Sequence, residues 1–232
     1  MSQLKNIKIN TPTYREIIPS TNTEVKITPF KVGDEKILLI ASESKDPKQM
    51  IDSLKKVIDN CVQGAELKDM SAFDVEYLFL KIRSVSVGET ADIFLTCKEC
   101  ETANECKIDL SKIEVRGLDS FKTKIKITDD LMFSMLTPDL DSYTGVENNA
   151  EGIIEFIAKN VDKVFYGEET IDIGTNDKQD VIDIINQLTS TQFKDLQDYI
   201  SGMPKVTYEL DFECKHCQTK NDVKLEGLAD FF

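Results

Sequence analysis

Four cysteines occur as two Cys-x-x-Cys pairs that lie far apart in the sequence. Cys97 and Cys100 stand in CKECETANECKIDL, and Cys214 and Cys217 stand in CKHCQTKNDVKLEGL. Cysteine thiolates bind zinc well, and a closed structural zinc site uses four ligands in a tetrahedral arrangement. The residue types and their number therefore predict one structural zinc ion per chain, shared by the two pairs.

The two cysteine pairs lie in segments that repeat one another. When the segments are superposed on their cysteines, further identical residues coincide: Thr102 with Thr219, Asn104 with Asn221, and Lys107 with Lys224. Apolar and polar residues alternate before and after each pair, which is the pattern of a half-buried strand. Each segment therefore predicts a β-hairpin with two thiols at its tip, and together they predict a zinc ribbon. Turns without a metal, or a site that has lost its metal, remain alternatives.

The other two cysteines and the single histidine are not predicted to bind the metal. Cys106 coincides with Val223 inside the return strand, and Cys61 continues an apolar stripe at helical spacing. A buried free cysteine behaves as a small hydrophobic residue, so both are predicted to lie in the core. His216 lies between the two cysteines of the second pair and is predicted to be an exposed turn residue.

The sequence offers no pattern that indicates catalysis. There is no glycine loop before a helix to bind phosphate, and neither HExxH nor GxSxG occurs. A zinc ion with four thiolate ligands has no open position for a substrate, so it stabilises structure. A thioredoxin-like role needs a Cys-x-x-Cys that opens a helix, whereas here each pair ends a predicted strand. We therefore predict a protein that is not an enzyme; a deep polar cleft with convergent carboxylates would reopen that alternative.

The charge and the apolar runs limit the partners and the compartment. The formal net charge is -14, and a surface this acidic repels nucleic-acid phosphates, so nucleic-acid binding is not predicted. The first residues, MSQLKNIKINTP, lack the apolar run of a signal peptide, and ILLIA is too short to span a bilayer. We predict a soluble protein made in a cytoplasm, where thiols stay reduced.

The sequence predicts strands in the first part of the chain and a pair of helices after them. LKNIKIN, EVKITPF and KILLIAS are candidate strands. A helix is predicted to begin at Asp46 and Pro47, since aspartate suits the N-cap and proline the first helical position. A second helix is predicted after Ser71, with Asp74 completing a capping box.

The segment between the hairpins is predicted to be mainly helical. FKTKIKIT is a candidate strand, and a short helix is predicted from Leu131 to Leu136. The apolar spacing then predicts a helix from Ile153 to Phe165 and two more before Pro204.

The resulting fold class is α+β, with a β-rich N-terminal part, a helical middle and a zinc ribbon split by a helical insertion. The predicted units are residues 1–45 (β-rich part with an extended arm), 46–90 (helical pair), 91–127 (first hairpin and following strand), 128–204 (helical insertion) and 205–232 (second hairpin and tail).

Two places in the sequence are candidates for binding a partner. Phe231 and Phe232 end the chain, and an apolar pair of this kind packs on its own domain or in the groove of a partner. Lys81 and Arg83 form the basic end of the helix FDVEYLFLKIRS, where they favour the helix dipole and are suited to an acidic partner. Packing of this helix on its own domain is the alternative.

One long stretch resembles a known family. It includes PFKVGDEKILLIA, the helix ending in DNCV, and FDVEYLFLKIRSVSVGE, and it covers about residues 26–108. These segments resemble the baseplate proteins of T-even-like contractile-tailed bacteriophages.

The resemblance implies a role in the structure or assembly of the virion. The protein is then expected to be a component of the baseplate hub, or a factor (an assembly chaperone) that helps the hub to assemble. Its expected partners are other baseplate, hub and tail-tube proteins, and its expected location is the host cytoplasm and the virion tail. A zinc-binding adaptor in phage transcription or late-gene control remains the alternative function.

Overall fold

The structure, a computed structural model, describes residues 10–44, 46–147 and 149–231. Helices and strands are mixed along the chain, as the α+β prediction expected. The helices are α1 (Val32–Ser44), α2 (Pro47–Cys61), α3 (Ala72–Val87), α4 (Ala150–Lys159), α5 (Lys178–Asn186) and α6 (Ser190–Ser201). The strands are β1 (Tyr14–Ile18), β2 (Thr23–Ile27), β3 (Val62–Gln63), β4 (Thr90–Thr96), β5 (Ala103–Asp109), β6 (Glu114–Arg116), β7 (Lys124–Lys126), β8 (Leu131–Met135), β9 (Val161–Tyr166), β10 (Glu169–Asp172), β11 (Lys205–Glu213) and β12 (Lys220–Glu226).

The described strands form four sheets, and all of their pairings are antiparallel. The orders are β1-β2-β3, β10-β9-β8-β7, β12-β11-β6 and β4-β5. Strand β6 follows the first cysteine hairpin in the chain and pairs with β11 of the second, with Val115 opposite Val206. This pairing joins the two hairpin regions through the backbone.

Helix α3 connects two of the hydrophobic cores. Leu78 packs in a cluster with α2 and the first sheet, whereas Leu80 packs in the cluster beneath the cysteine hairpins. Both side chains are fully buried. Since α3 is covered on both faces, it positions the hairpins relative to the N-terminal part. A third cluster lies within the segment between the hairpins.

The predicted helix starts are confirmed at α2 and α3. The Asp46 side chain accepts a hydrogen bond from the Lys48 backbone N–H, and Pro47 occupies the first turn. Ser71 and Asp74 form both halves of a capping box at α3. The Asp74 carboxylate also accepts hydrogen bonds from the backbone N–H and the hydroxyl of Ser20, so the cap ties α3 to the first sheet.

The N-terminal part differs from its prediction in one element. KILLIAS forms most of α1 and is not a strand. A short apolar run does not distinguish a strand from a helix. The carboxylate of Asp34, in the first turn, accepts a hydrogen bond from the Lys31 N–H at the start of the helix. LKNIKIN lies outside the described residues except for Asn10.

The insertion differs more, because it contains a sheet as well as helices. Leu131–Met135 is strand β8, not a helix, and it pairs with β7 and β9. The helix predicted from Ile153 to Phe165 ends at Lys159, and the chain continues as β9 from Val161. Asn160 marks the change, since its side chain donates to the Phe156 carbonyl oxygen. The two helices predicted before Pro204 are confirmed as α5 and α6.

No helix within the described ranges is both long enough and apolar enough to cross a membrane.

Candidate metal centre

The two cysteine hairpins have the same register, as the repeat predicted. Leu95 lies opposite Asn104 in the β4–β5 pair, and Phe212 lies opposite Asn221 in the β11–β12 pair. Each pair of opposed residues takes equivalent positions in the superposed sequences. The prediction of two matching hairpins is therefore confirmed.

The tips of the hairpins are also alike. In the first tip, the Cys97 N–H donates to the Thr102 carbonyl over 3.0 Å, and the Glu101 N–H donates to the Cys97 carbonyl over 3.0 Å. The second tip repeats both bonds at 2.9 Å, from Cys214 to Thr219 and from Gln218 to Cys214. Glu101 and Gln218 have left-handed backbone angles, with φ of 56° and 61°. The tight turns bring both thiols of each tip to the same side.

The four sulfur atoms meet between the two tips. The Sγ atoms of Cys97 and Cys217 are 3.7 Å apart, and those of Cys100 and Cys214 are 3.6 Å apart. All four Sγ atoms lie within 4.8 Å of one another. With a Zn–S bond of ~2.3 Å, a regular tetrahedron places its sulfurs ~3.8 Å apart. The four cysteines are thus close enough to bind one metal ion, and tetrahedral sulfur sites are typical of zinc or iron.

This cluster has no competitor in the part of the chain that the structure describes. Within those residues it is the one group of three or more cysteine, histidine, aspartate or glutamate side chains that fits a metal ion. Cys97 and Cys214 are buried, whereas Cys100 and Cys217 are partly exposed. The site therefore lies just beneath the surface, where two sulfurs are shielded from solvent and two are not.

Each hairpin supplies an asparagine to the tip of the other hairpin. The Asn104 Oδ1 atom accepts from the Lys215 N–H over 2.9 Å, and the Asn221 Oδ1 atom accepts from the Lys98 N–H over 2.9 Å. The Nδ2 atoms donate to sulfur, over 3.5 Å from Asn104 to Cys214 and 3.6 Å from Asn221 to Cys97. Both asparagines are buried. The two tips are thus joined by a reciprocal exchange of hydrogen bonds.

At two of the four cysteines, N–H groups around the sulfur favour the thiolate form that a metal requires. The pKa of Cys214 is lowered to about 6, mainly by the Cys217 backbone N–H, with further donation from His216 and Asn104. The pKa of Cys97 is also lowered, mainly by the backbone N–H groups of Cys100 and Glu99. Hydrogen bonds to a charged group stabilise that charge and shift the pKa accordingly. The N–H groups therefore favour the thiolate at Cys97 and Cys214, whereas the pKa of Cys217 is raised to about 11 by desolvation and by the neighbouring thiols of Cys100 and Cys97.

The two cysteines outside the pairs lie where the sequence placed them. Cys106 and Cys61 are buried, each within a hydrophobic cluster. Cys106 lies opposite Ile93, as Val223 lies opposite Leu210 in the other hairpin. Their assignment to the core is confirmed. His216 is exposed, in agreement with its prediction as a turn residue.

The predicted partner-binding residues are mostly engaged within the chain. Phe231 is 2% exposed and packs with Leu80 beneath the hairpins, so it takes the first of its two alternatives and offers no free surface. Phe232 lies outside the described residues. Lys81 donates to the Ser111 carbonyl and lies 5.2 Å from the centre of the Tyr77 ring.

Arg83, the other basic residue of the predicted helix end, is partly buried; α3 continues past it to Val87, so neither cation lies in the last turn of the helix. This partial burial lowers the pKa of Arg83 through desolvation. A partner-binding role for Lys81 and Arg83 stays a prediction.

The role of the two asparagines is the functional feature that the sequence alone did not reveal. The repeat signals them, because Asn104 and Asn221 are among its identical residues. Their action across the hairpins depends on how the two tips face each other, and sequence spacing carries no information on that.

A comparison with known families adds an identity. The family described as T4 bacteriophage base plate protein matches residues 11–232 of the chain. The chain belongs to this family. Membership of a base plate family implies a place in the phage tail and interaction with other tail proteins. No curated protein and no solved structure matches the chain significantly.

Proposed function

We propose that this base plate protein is a component of the baseplate hub, or a factor that assists hub assembly, and that it acts by binding other tail proteins without catalysis. The family match over residues 11–232 is the observation that supports the proposal most strongly. It extends the resemblance seen in the first half of the sequence through both cysteine hairpins.

In this proposal Cys97, Cys100, Cys214 and Cys217 hold one structural zinc ion. Four thiolates fill the tetrahedral coordination of zinc and leave no position for a substrate. Bound zinc would join two hairpins that are far apart in sequence, one before the insertion and one after it. The proposed zinc ribbon would thus keep the insertion and the N-terminal part in a fixed relative position.

The charge of the chain supports a docking role. A net charge of -14 produces a field that accelerates association with basic proteins and weakens with added salt. Basic hub or tube proteins are therefore the proposed direct partners.

Co-elution tests the proposal. The purified chain is mixed with each purified hub and tube protein of the same phage at modest salt, and complexes are separated by size. We expect a complex with at least one of them, and no co-elution with any would contradict the proposal. Mass spectrometry of purified virions then distinguishes a hub component, which stays in the particle, from an assembly factor, which leaves it.

A further inference from the structure

A large open cleft lies where α3, the insertion and the second hairpin meet. Its volume is about 770 Å³, within the range of ~300–1,000 Å³ that is usual for binding pockets. We call it the Glu76 cleft, and residues that define it are Phe73, Glu76, Pro138, Tyr143, Ile200 and Lys205. None of the four paired cysteines lines it.

Much of the wall of the cleft is apolar. Phe73 comes from α3, Pro138 from the loop after β8, and Ile200 from α6. Tyr143 contributes an aromatic ring that is 45% exposed and that packs against Phe156 with ring centres 4.9 Å apart. Apolar walls of this kind favour an organic group over a hydrated ion.

One carboxylate in the cleft lacks a cationic partner. Glu76 accepts a hydrogen bond from the Leu228 backbone N–H, and its side chain lies against the turn at Gly227, where a Cβ atom would be 3.8 Å from Oε2. Among the described residues no lysine or arginine forms an ion pair with it. Burial raises the pKa of Glu76 to about 7, because its charge is poorly solvated. A cation brought into the cleft would relieve that cost.

The remaining charges of the cleft have the same sign as Glu76 or are already paired. Glu147, Glu226 and Asp230 also line the cleft, against the single ammonium group of Lys205. Lys205 is engaged by Glu226 at 3.3 Å, so it does not neutralise Glu76. The cleft is therefore acidic and selects for a basic occupant.

A bare metal ion does not suit this arrangement. No three carboxylates of the cleft come close enough together to hold one, as judged over the described residues. A single, partly buried carboxylate with aromatic and aliphatic walls is instead complementary to a long side chain with an apolar stem and a charged end.

We infer that the Glu76 cleft binds a lysine or arginine side chain, flanked by apolar residues, from another protein of the phage tail. This inference rests on the proposed function, because it assumes that the chain docks on tail proteins. It adds the surface used and the chemistry of the partner segment. The charged end would pair with Glu76, and the flanking apolar residues would cover Tyr143 and Ile200.

The test uses the full chain and the individually purified hub and tube proteins of the same phage, with affinities measured at constant salt. Glu76→Gln removes the charge and keeps an acceptor for the Leu228 N–H. Ser201→Trp places bulk at an exposed position on the edge of the cleft. The controls are Glu169→Gln, an exposed carboxylate on β10, and Ser190→Trp, at the other end of α6. Each variant is first checked for a single cooperative melting transition, no less stable than the wild type, and for wild-type zinc content.

We expect Glu76→Gln to weaken binding at least ~10-fold, as is typical when one partner of a desolvated charge pair is removed. Ser201→Trp should weaken binding by at least as much because it blocks the cleft, while both controls bind as the wild type does. If the wild type binds a tail protein and either cleft variant binds equally well, the inference is wrong and the proposed function stands. If the wild type binds none of the tail proteins, the proposed function and the inference both fail.

Discussion

Asn104 and Asn221 form reciprocal hydrogen bonds between the two cysteine hairpins. Each belongs to one hairpin and hydrogen-bonds the tip of the other, through a backbone N–H at 2.9 Å and a sulfur atom at 3.5 Å or 3.6 Å. A backbone N–H and a sulfur atom in each tip therefore depend on the other hairpin for a hydrogen-bond partner. This exchange makes the two distant segments one structural unit.

The first prediction concerns these asparagines. Asn104→Ala and Asn221→Ala each remove a hydrogen bond to a ligand sulfur and one to a backbone N–H. Loss of such outer-shell partners typically lowers metal affinity by ~10–100-fold, and we expect equal losses from the two variants. Competition with a zinc chelator measures the affinity. Asn186→Ala, an exposed asparagine at the end of α5, is the control, and an equal loss in that variant would contradict the assignment.

The second prediction separates the ligand cysteines from the core cysteines. We expect Cys214→Ser to lower the zinc content and the melting temperature together. Metal binding is worth ~10–16 kcal/mol in small zinc modules, and the loss should be smaller here because the chain has further hydrophobic cores. Elemental analysis and thermal unfolding are the measurements.

Cys106→Val is the matched control for that experiment. Valine occurs at the equivalent position of the second hairpin, Val223, so the replacement suits the register. It should keep about one zinc ion per chain. Retention of zinc in Cys214→Ser, or its loss in Cys106→Val, would show that the ligands are misassigned.

The third prediction concerns removal of the metal. The backbone N–H groups of Lys98 and Lys215 are bonded across the hairpins, so their protection depends on the two tips staying together. A chelator should increase hydrogen exchange at these amides, while amides of α6, which pack in the core of the insertion, remain protected. Equal exchange with and without chelator at both tips would contradict a metal that joins them.

The fourth prediction concerns the pH dependence of stability. The pKa of Glu76 is raised from 4.5 to about 7 by burial, so the folded state holds this proton more tightly than the unfolded state does. The resulting stabilisation is fully present below pH 4.5 and is lost as the pH rises through 7. Glu76→Gln has no such proton to lose. We expect it to exceed the wild type in free energy of unfolding at about pH 8 by on the order of 3 kcal/mol, with the gap closing near pH 4.

Denaturant unfolding at several pH values measures that difference. Glu147→Gln removes an exposed carboxylate from the edge of the same cleft and is the matched control. A constant difference between Glu76→Gln and the wild type over the whole pH range would rule out titration of Glu76 as its source.

The fifth prediction concerns the buried cap of α3. Asp74 is fully buried and accepts hydrogen bonds from Ser20 and from both the backbone N–H and the hydroxyl of Ser71. Asp74→Ala leaves these donors without an acceptor, which should cost about 2–4 kcal/mol of unfolding free energy. Asp46→Ala removes an exposed cap at α2 and should cost about 1 kcal/mol. Similar losses from both variants would contradict the special role of the buried cap.

The parts of the fold that were predicted correctly are those indicated by short-range patterns in the sequence. The cysteine hairpins, the caps at Asp46 and Ser71, and helices α5 and α6 follow from alternation, capping residues and helical spacing. From the sequence alone, the repeat also predicted correctly that Cys106 lies in the core. These features depend on residues that are neighbours in the chain or that match within the repeat.

The errors arose where an apolar run had two possible structures. KILLIAS is a helix whose Leu38 packs against the first hydrophobic core, and Leu131–Met135 is a strand that pairs with β7 and β9 on either side. Long-range packing and pairing favour one structure in such cases, and a single sequence does not show them. The same holds for the Glu76 cleft, whose walls come from segments far apart in the chain.

X-ray absorption at the zinc edge of the purified full chain, with the metal content measured on the same sample, tests the central claim most directly. The account predicts about one zinc ion per chain, bound by four sulfur atoms at ~2.3 Å. The account would be contradicted if the chain contained no zinc after purification in a zinc-containing buffer, or if its zinc were bound by nitrogen or oxygen ligands.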